Sequence, residues 1–261
     1  MLIGAMNHPM RDVAGEIWSF RELGFDFLDL TLEPPRAHPG AIDVGAVLTA
    51  LAESGLSAVG HTAWYLPLAS PFPGIQQAAF DELTRCFDVF AQLGIHKVNV
   101  HPDQRVALHQ PEEIIERNVE ALWRLNERAT ERGIQLMLEN VPGLFNRVDI
   151  LRQIFNSVPR LAWHLDVGHA NLGSPSNMAE SMLQALDDRL AHVHFSDNKG
   201  GDADLHLPLG AGTIDWPTIV ALLRRYSYDG TITLEVFSPD LDYLALSRQK
   251  LRRLWDSLSP L

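Results

Sequence analysis

The chain is poor in cysteine and in long hydrophobic runs, and each shortage excludes a class of protein. Cys86 is the only cysteine among 261 residues, so an internal disulfide is impossible and a cytoplasmic location is expected. No apolar run is long enough to span a bilayer. The first residues lack a basic stretch followed by an apolar core, so we also expect no signal peptide.

Basic residues are scarce as well. Lys and Arg number 21 against 33 Asp and Glu, which gives a formal net charge of −12. This charge disfavours broad binding to nucleic acid but does not exclude it, because bound divalent ions would offset carboxylates locally. We therefore expect a small-molecule substrate rather than nucleic acid or a membrane as the partner. A monomer and a small homo-oligomer both remain open.

Short apolar strands alternate with amphipathic helices along the whole chain. Eight strand–helix units are predicted, with helix-ending glycines that recur at a spacing of one unit. The predicted strands span residues 3–7, 25–33, 57–64, 96–103, 134–140, 161–169, 190–197 and 230–237. The predicted helices span residues 12–24, 43–54, 76–93, 111–133, 147–157, 177–186, 215–225 and 241–258.

Such alternation is typical of an α/β protein with a parallel sheet. Eight units in this length predict a (β/α)8 TIM barrel that forms a single domain over residues 1–261, with its active site at the C-terminal ends of the strands. A doubly wound open sheet is the alternative. It would need a glycine-rich phosphate-binding turn after the first strand, and the segment HPMRD does not provide one.

Six consecutive predicted strands end in a side chain that can bind a metal ion: His61, His101, Glu139, Asp166, His194 and Glu235. Three more such residues follow. His169 lies three residues after Asp166, at the end of the predicted sixth strand, and Asp204 and His206 lie in the loop after the seventh. Singly, each could be a partnered histidine, a helix cap or a salt-bridged acid. Together at one barrel mouth, the carboxylates would repel one another unless cations were present. The pattern therefore predicts a metal centre.

Several segments resemble the xylose isomerase-like TIM-barrel superfamily, which holds sugar isomerases, epimerases and endonuclease IV. They are GHTAW, NVHPD, LENVPG, LDVGHAN, HVHFSDNKG, DLHLPLGAGTIDW and LEVF. The resemblance implies that one central divalent ion is bound by Glu139, Asp166, His194 and Glu235. It also implies, from the endonuclease IV pattern of three zinc ions, a second ion at His61 and His101 with bridging Glu139. A third would be held by His169, Asp204 and His206.

The two branches of this superfamily imply different chemistry. In the sugar branch, Glu139 and Glu235 would remove and return the proton beside the carbonyl of a small sugar, sugar phosphate or cyclitol, and His169 would orient an oxygen. In the nuclease branch (AP endonuclease family 2), zinc would generate a hydroxide that attacks abasic DNA. A third possibility is a catalytically idle barrel that binds only a metal ion and a ligand.

We favour the metal-dependent sugar isomerase or epimerase. The chain is short for a nuclease of this superfamily, and basic residues are sparse in the strand-end loops, where Arg36, Arg105, Arg147 and Lys199 are the main ones. The number of candidate ligands argues the other way, because an isomerase needs fewer.

The candidate ligands suit one to three ions, with zinc expected and manganese as the alternative. Trp64, His8 and Glu33 are candidate substrate contacts, because each lies near the end of a predicted strand.

Overall fold

The computed structural model describes residues 1–104 and 108–257 as a closed barrel. The strands are β1 (Leu2–Met6), β2 (Phe27–Leu32), β3 (Ser57–Thr62), β4 (Lys97–Val100), β5 (Gln135–Glu139), β6 (Ala162–Asp166), β7 (Leu190–Phe195) and β8 (Thr231–Leu234). The helices are α1 (Val13–Glu22), α2 (Val44–Ser54), α3 (Pro73–Gln92), α4 (Pro111–Thr130), α5 (Val148–Ser157), α6 (Ala179–Leu186), α7 (Trp216–Arg225) and α8 (Asp242–Ser257).

Each strand pairs in parallel with the next one in the chain, and β8 closes the barrel by pairing with β1. The predicted TIM barrel is therefore confirmed, and the open sheet is wrong. Within the described residues, none of the helices has the length and apolarity needed to cross a membrane.

The element boundaries differ from the predicted ones by a few residues. Strand β6 ends at Asp166, and His169 begins a short 3-10 helix instead of ending the strand. Helix α3 begins at Pro73, because proline is well tolerated in the first helical turn. The predicted end of the last helix at Leu258 lies outside the described residues, as does Arg105.

Capping side chains start three of the helices directly after the strand-end loops. The carboxylates of Asp12 and Asp43 accept hydrogen bonds from the first turns of α1 and α2, at 2.8 and 2.9 Å. Asp215 caps α7 in the same way. Gly55 ends α2 in the left-handed conformation, with φ of 72°. These local signals fix where each helix turns back along the sheet.

The barrel interior is layered. Its lower part is apolar and is formed by Phe27, Val59, Met137, Ala162 and Ala191. A side chain at position 4 is excluded there, because a Cβ on Gly4 would lie 2.3 Å from the ring of Phe27. Above this layer the inward positions carry polar side chains. The polar half of the interior thus faces the C-terminal mouth.

Hydrogen bonds to Asp197 hold the long loop between β7 and α7 in place. Its carboxylate accepts hydrogen bonds from the backbone N of Gly210 at 2.7 Å and from Nε1 of Trp216 at 2.9 Å. Its backbone exchanges two hydrogen bonds with Leu207. A Cβ on Gly212 would lie 2.0 Å from the backbone oxygen of Asn198. The loop is therefore closely packed at its base, which fixes the segment that carries Asp204 and His206.

We expect Gly212→Ala to lower the free energy of unfolding by about 1–3 kcal/mol, because the neighbouring backbone must shift to admit a methyl group. Gly74→Ala, near the start of α3, is the matched control, since an added Cβ there meets none of the described atoms within 4 Å. Urea unfolding of both variants measures the difference. Equal stabilities would contradict the packing described for the loop.

Candidate functional site

The structure brings all nine predicted ligands to the C-terminal mouth of the barrel. They come from β3, β5, β6 and β7, from the residues that directly follow β4 and β8, and from the loops after β6 and β7. Eight of them are buried or half-buried, and the ninth, Asp204, has a side chain that is 29% exposed. Their donor atoms fall into three neighbouring groups.

The first group surrounds Glu139. Its Oε2 lies 3.0 Å from Nε2 of His101 and 3.9 Å from Nε2 of His61. Asn99 donates a hydrogen bond of 2.6 Å from Nδ2 to the same oxygen. Donor atoms of the two histidines and of Glu139 all lie within 4.8 Å of one another. This spacing allows the three side chains to share one ion.

The second group is centred on Asp166. Donor atoms of Asp166 lie within 4.8 Å of those of Glu139 and His169, and also within 4.8 Å of those of His194 and Glu235. Nδ1 of His194 is 3.3 Å from Oε2 of Glu235. Asp166 therefore connects the two glutamates that enter the mouth from β5 and from the end of β8.

The third group is built around Asp204. Its Oδ2 lies 3.1 Å from Nε2 of His169 and 3.0 Å from Nε2 of His206. His206 has a positive φ of 44°, a backbone conformation that residues other than glycine seldom adopt. Its Nδ1 lies 3.5 Å from Oε2 of Glu235. The anchored β7–α7 loop thus holds an imidazole against the main cluster at some cost in backbone strain.

The donor set fits divalent ions. Among the described residues, the buried Nε2 of His61 and Oδ2 of Asp166 have no hydrogen-bond partner. Leaving such groups unsatisfied in a protein interior costs free energy, so their position inside the cluster suggests a ligand. Imidazole nitrogens combined with carboxylate oxygens are typical of zinc sites and also suit manganese.

The charges at the mouth are strongly coupled. Burial would lower the pKa of His194, but hydrogen bonds to Asp29 and Glu235 raise it well above its usual value. Burial also opposes the rise at His206, where nearby Glu235 and Asp204 bring the pKa to about 9. Burial raises the pKa of Asp166. The carboxylates therefore require positive charge close by, from protonated imidazoles or from bound cations.

Sequence reasoning missed Asp29 of β2, which lies beneath the cluster. Its Oδ2 accepts hydrogen bonds from Nε2 of His194 at 2.8 Å, from Oγ1 of Thr233 at 2.7 Å and from Nε2 of His192 at 3.3 Å. Burial opposes its ionisation, but the bonds from the two histidines hold the pKa of Asp29 well below its usual range. With Nε2 engaged, His194 presents Nδ1 to Asp166 and Glu235. A charged residue inside the apolar strand FLDLTL was the available signal.

Asparagines beside the predicted ligands were missed as well. Asn140 accepts from the backbone N of Asp166 at 2.9 Å, and its backbone oxygen lies 2.9 Å from Nδ1 of His169. Asn146 donates to the backbone oxygen of His169 at 2.9 Å. These bonds fix the direction of the His169 ring. Asn140 directly follows Glu139 in sequence, and that proximity was the only signal.

A pocket of about 920 Å³ opens above the cluster and is lined by seven of the nine predicted ligands. Asp166 and His194 are fully buried behind it. The predicted substrate contacts His8, Glu33 and Trp64 all line the pocket. The Trp64 side chain is 60% exposed there.

An eight-stranded α/β barrel with imidazole and carboxylate groups at its mouth defines the chain as a TIM barrel with a candidate metal site. The chain belongs to the xylose isomerase-like TIM barrel family, whose model matches residues 19–255. This match confirms the resemblance found in the sequence motifs. Relatives of the chain include both sugar epimerases and endonuclease 4 proteins.

Three relatives show the range of similarity. An uncharacterized protein of Methanocaldococcus jannaschii is 31% identical over 64% of this chain, and the match spans 62% of that protein. The ketose 3-epimerase of Arthrobacter globiformis is 29% identical over 90% of this chain and 82% of its own length. A protein of Aster yellows witches'-broom phytoplasma named "probable endonuclease 4" is 26% identical, over 65% of this chain and 64% of that one.

Two solved structures show the shared fold. A D-tagatose 3-epimerase-like protein superposes with a TM-score of 0.85 at 22% identity, covering 98% of this chain and 97% of the other. A protein from Thermus thermophilus, solved after soaking with ZnCl2, superposes with a TM-score of 0.76 at 25% identity, covering 99% of this chain and 100% of the other.

We expect Asp29→Ala to lower the free energy of unfolding by about 3–5 kcal/mol, because it leaves two buried imidazoles and a hydroxyl without their shared acceptor. Asp256→Ala, at an exposed position of α8, is the matched control and should change stability by less than about 0.5 kcal/mol. Chemical unfolding measures both. An Asp29→Ala protein as stable as the control would show that the buried bonds contribute nothing.

Proposed function

We propose that the protein is a metal-dependent isomerase or epimerase that moves a proton beside the carbonyl of a small sugar. The observation that carries this proposal is the pair Glu139 and Glu235. Both carboxylates lie next to Asp166, enter from β5 and from the end of β8, and line the same pocket. The ketose 3-epimerase relative, which matches most of the chain, supports this reaction class.

In this proposal Glu139, Asp166, His194 and Glu235 hold the central divalent ion. When bound, the ion acts as a Lewis acid that makes the proton beside a carbonyl more acidic. Glu139 and Glu235 exchange that proton from the two sides of the mouth, one as the base and the other as the acid. Two opposed carboxylates are what an epimerisation needs, because the proton must leave from one face of the carbon and return to the other.

His169 has a positioning role toward a substrate oxygen. Its Nδ1 lies 2.9 Å from the backbone oxygen of Asn140, so its Nε2 is directed toward Asp204 and the pocket. Trp64 offers an exposed aromatic face to the sugar, since aromatic rings pack well against the C–H groups of such ligands. His8 and Glu33, which lie after the neighbouring strands β1 and β2, provide further hydrogen-bonding groups in the pocket.

Zinc is the ion we propose, with manganese as the alternative. Five of the nine candidate ligands are histidines, and imidazole with carboxylate is a common zinc donor set. The structural relative that was soaked with ZnCl2 supports this choice. Further ions would lie at His61 and His101, and at His169, Asp204 and His206.

A second candidate is an endonuclease IV-like zinc phosphodiesterase. The presence of all three ligand groups and the relatives named for endonuclease 4 favour it. The pocket argues against it, because Arg11 is the only Lys or Arg among the described residues that line it. A phosphodiester backbone is bound chiefly by such cations. We therefore keep the sugar reaction as the proposal.

Incubation with ketoses in heavy water tests the reaction. The proposed enzyme places deuterium on the carbon beside the carbonyl of its substrate. Glu235→Gln should abolish this exchange while some metal stays bound, because an amide oxygen can still ligate but cannot act as a base. Glu180→Gln, at an exposed position of α6, is the matched control and should exchange at the wild-type rate. Mass spectrometry follows the deuterium.

The nuclease interpretation predicts a different result. An abasic DNA duplex would be nicked, and substituting His206 would reduce that activity because it removes a ligand of the third ion. Nicking of abasic DNA at enzyme-like rates, without deuterium exchange on any sugar, would contradict our proposal and favour the nuclease. Neither activity would favour a barrel that only binds a metal ion and a ligand.

Zinc loading at pH 7 should release protons from the protein. The raised pKa values at His169, His194 and His206 mean that these imidazoles are protonated below those values, whereas a metal ligand must be neutral. We expect more than one proton per chain, measured in weak buffer with a pH indicator, and more than one zinc ion by elemental analysis. One ion or fewer per chain would exclude the three-ion arrangement.

A further inference from the structure

The pocket has two chemically different ends. One end is the polar cluster. The other, which we call the apolar annex, is lined by Met6, Phe20, Val236, Pro239, Leu241 and Leu244. Phe20 and Leu244, which form part of its wall, are only 2% and 5% exposed. These two side chains pack in the main hydrophobic core, which holds the annex wall in place.

The annex lies where the barrel closes. Strands β8 and β1 pair directly, and the annex residues come from their C-terminal ends and from α8 and α1 beside them. Toward the base of the barrel, this junction is closed by two contacts. Arg252 of α8 donates a hydrogen bond of 3.0 Å to Asp26, and the guanidinium of Arg248 lies 5.8 Å from the ring centroid of Phe25. The two helices thus part at the mouth and form a cleft continuous with the cluster.

The annex carries little free charge. Arg11 lies 3.6 Å from Glu16, so its charge is already partnered, and Glu16 also accepts a hydrogen bond of 2.8 Å from the backbone N of His8. Among the described lining residues, no unpaired Lys or Arg is available for a phosphate. A neutral group suits this end better than an anionic one.

The volume also exceeds what a free sugar needs. The pocket measures about 920 Å³, whereas cavities of about 300–1,000 Å³ are typical for drug-sized ligands. A free ketohexose has only twelve non-hydrogen atoms and no apolar part to cover the annex. An unfilled apolar wall beside the reacting groups would stay wetted, which is unfavourable.

We propose that the substrate is a keto sugar with a neutral, apolar substituent on a hydroxyl far from the carbonyl, such as an alkyl or aryl ether or glycoside. The carbonyl end lies at the cluster and the substituent lies in the annex. This inference rests on the proposed function for the position of the carbonyl. It excludes a sugar phosphate as the preferred ligand.

Non-reacting polyols test the annex without turnover. Calorimetry or competition measures how tightly four polyols bind to the zinc-loaded protein. They are D-glucitol, its 6-O-methyl ether, its 6-O-butyl ether and D-glucitol 6-phosphate. Each buried methylene should improve the dissociation constant about fourfold, so we expect the butyl ether to bind at least about tenfold tighter than the methyl ether. The phosphate should bind no tighter than glucitol. A butyl ether within about threefold of the methyl ether, or a tighter phosphate, would overturn the inference.

A pair of leucine variants on or beside α8 locates the effect. Leu241→Asp places a carboxylate in the annex and should remove most of the advantage of the butyl ether. Leu246→Asp is the matched control, because Leu246 is 53% exposed and outside the pocket, and should keep that advantage. Equal loss in both variants would contradict the assignment. The wild-type series remains decisive if Leu241→Asp fails to fold.

The polyol series and the deuterium exchange can fail separately. Exchange on free ketoses with no gain from the butyl group would leave the proposed reaction standing and remove the annex inference. A strong gain from the butyl group with no exchange on any ketose, substituted or free, would support the annex and remove the proposed reaction.

Discussion

The structure depends on how a closed barrel balances the negative charge of carboxylates that it buries. Asp29, Glu139, Asp166 and Glu235 are each at most 8% exposed. Ionised carboxylates are stable in such surroundings only when donors or cations compensate them. Histidines fill this role: His194 lies between Asp29 and Glu235, and Glu139 and Asp166 each have an imidazole within 4 Å. The polar interior is therefore one ionic network, and its parts cannot be changed independently.

The layering of the barrel determines what this network can do. The apolar lower layer around Phe27 keeps water from the base, so the carboxylates meet solvent only from the mouth. Asp29 supports His194 from below, and rigid strand ends hold Glu139 and Asp166. Carboxylate support of this kind orients metal-binding imidazoles and raises their basicity. A cation entering from the pocket would take the place of imidazole protons without requiring the strands to move.

The sequence predicted the barrel and the common level of the candidate ligands, because both follow from local rules. Strand side chains alternate with period two, and strand ends meet at one mouth. Asp29 escaped prediction because its partner His194 lies 165 residues away, and no local pattern encodes that contact. The register shift between β6 and β7 and the seam that forms the annex are likewise products of closure. They depend on how distant units pack, which one strand or helix does not reveal.

The junction of Glu235 and Val236 connects the two ends of the pocket. Successive residues at a strand end point to opposite sides of the sheet, so Glu235 faces the cluster while Val236 faces the cleft between α1 and α8. Under the proposed function, a substituent in the annex would leave the sugar on the side of Glu235, and Glu139 would meet the opposite face. The two carboxylates are then chemically distinct toward the substrate. Under the proposed reaction, Glu235 would lie beside the group attached to the sugar, whereas Glu139, which contacts Asn99 and His101, would face the reacting carbon.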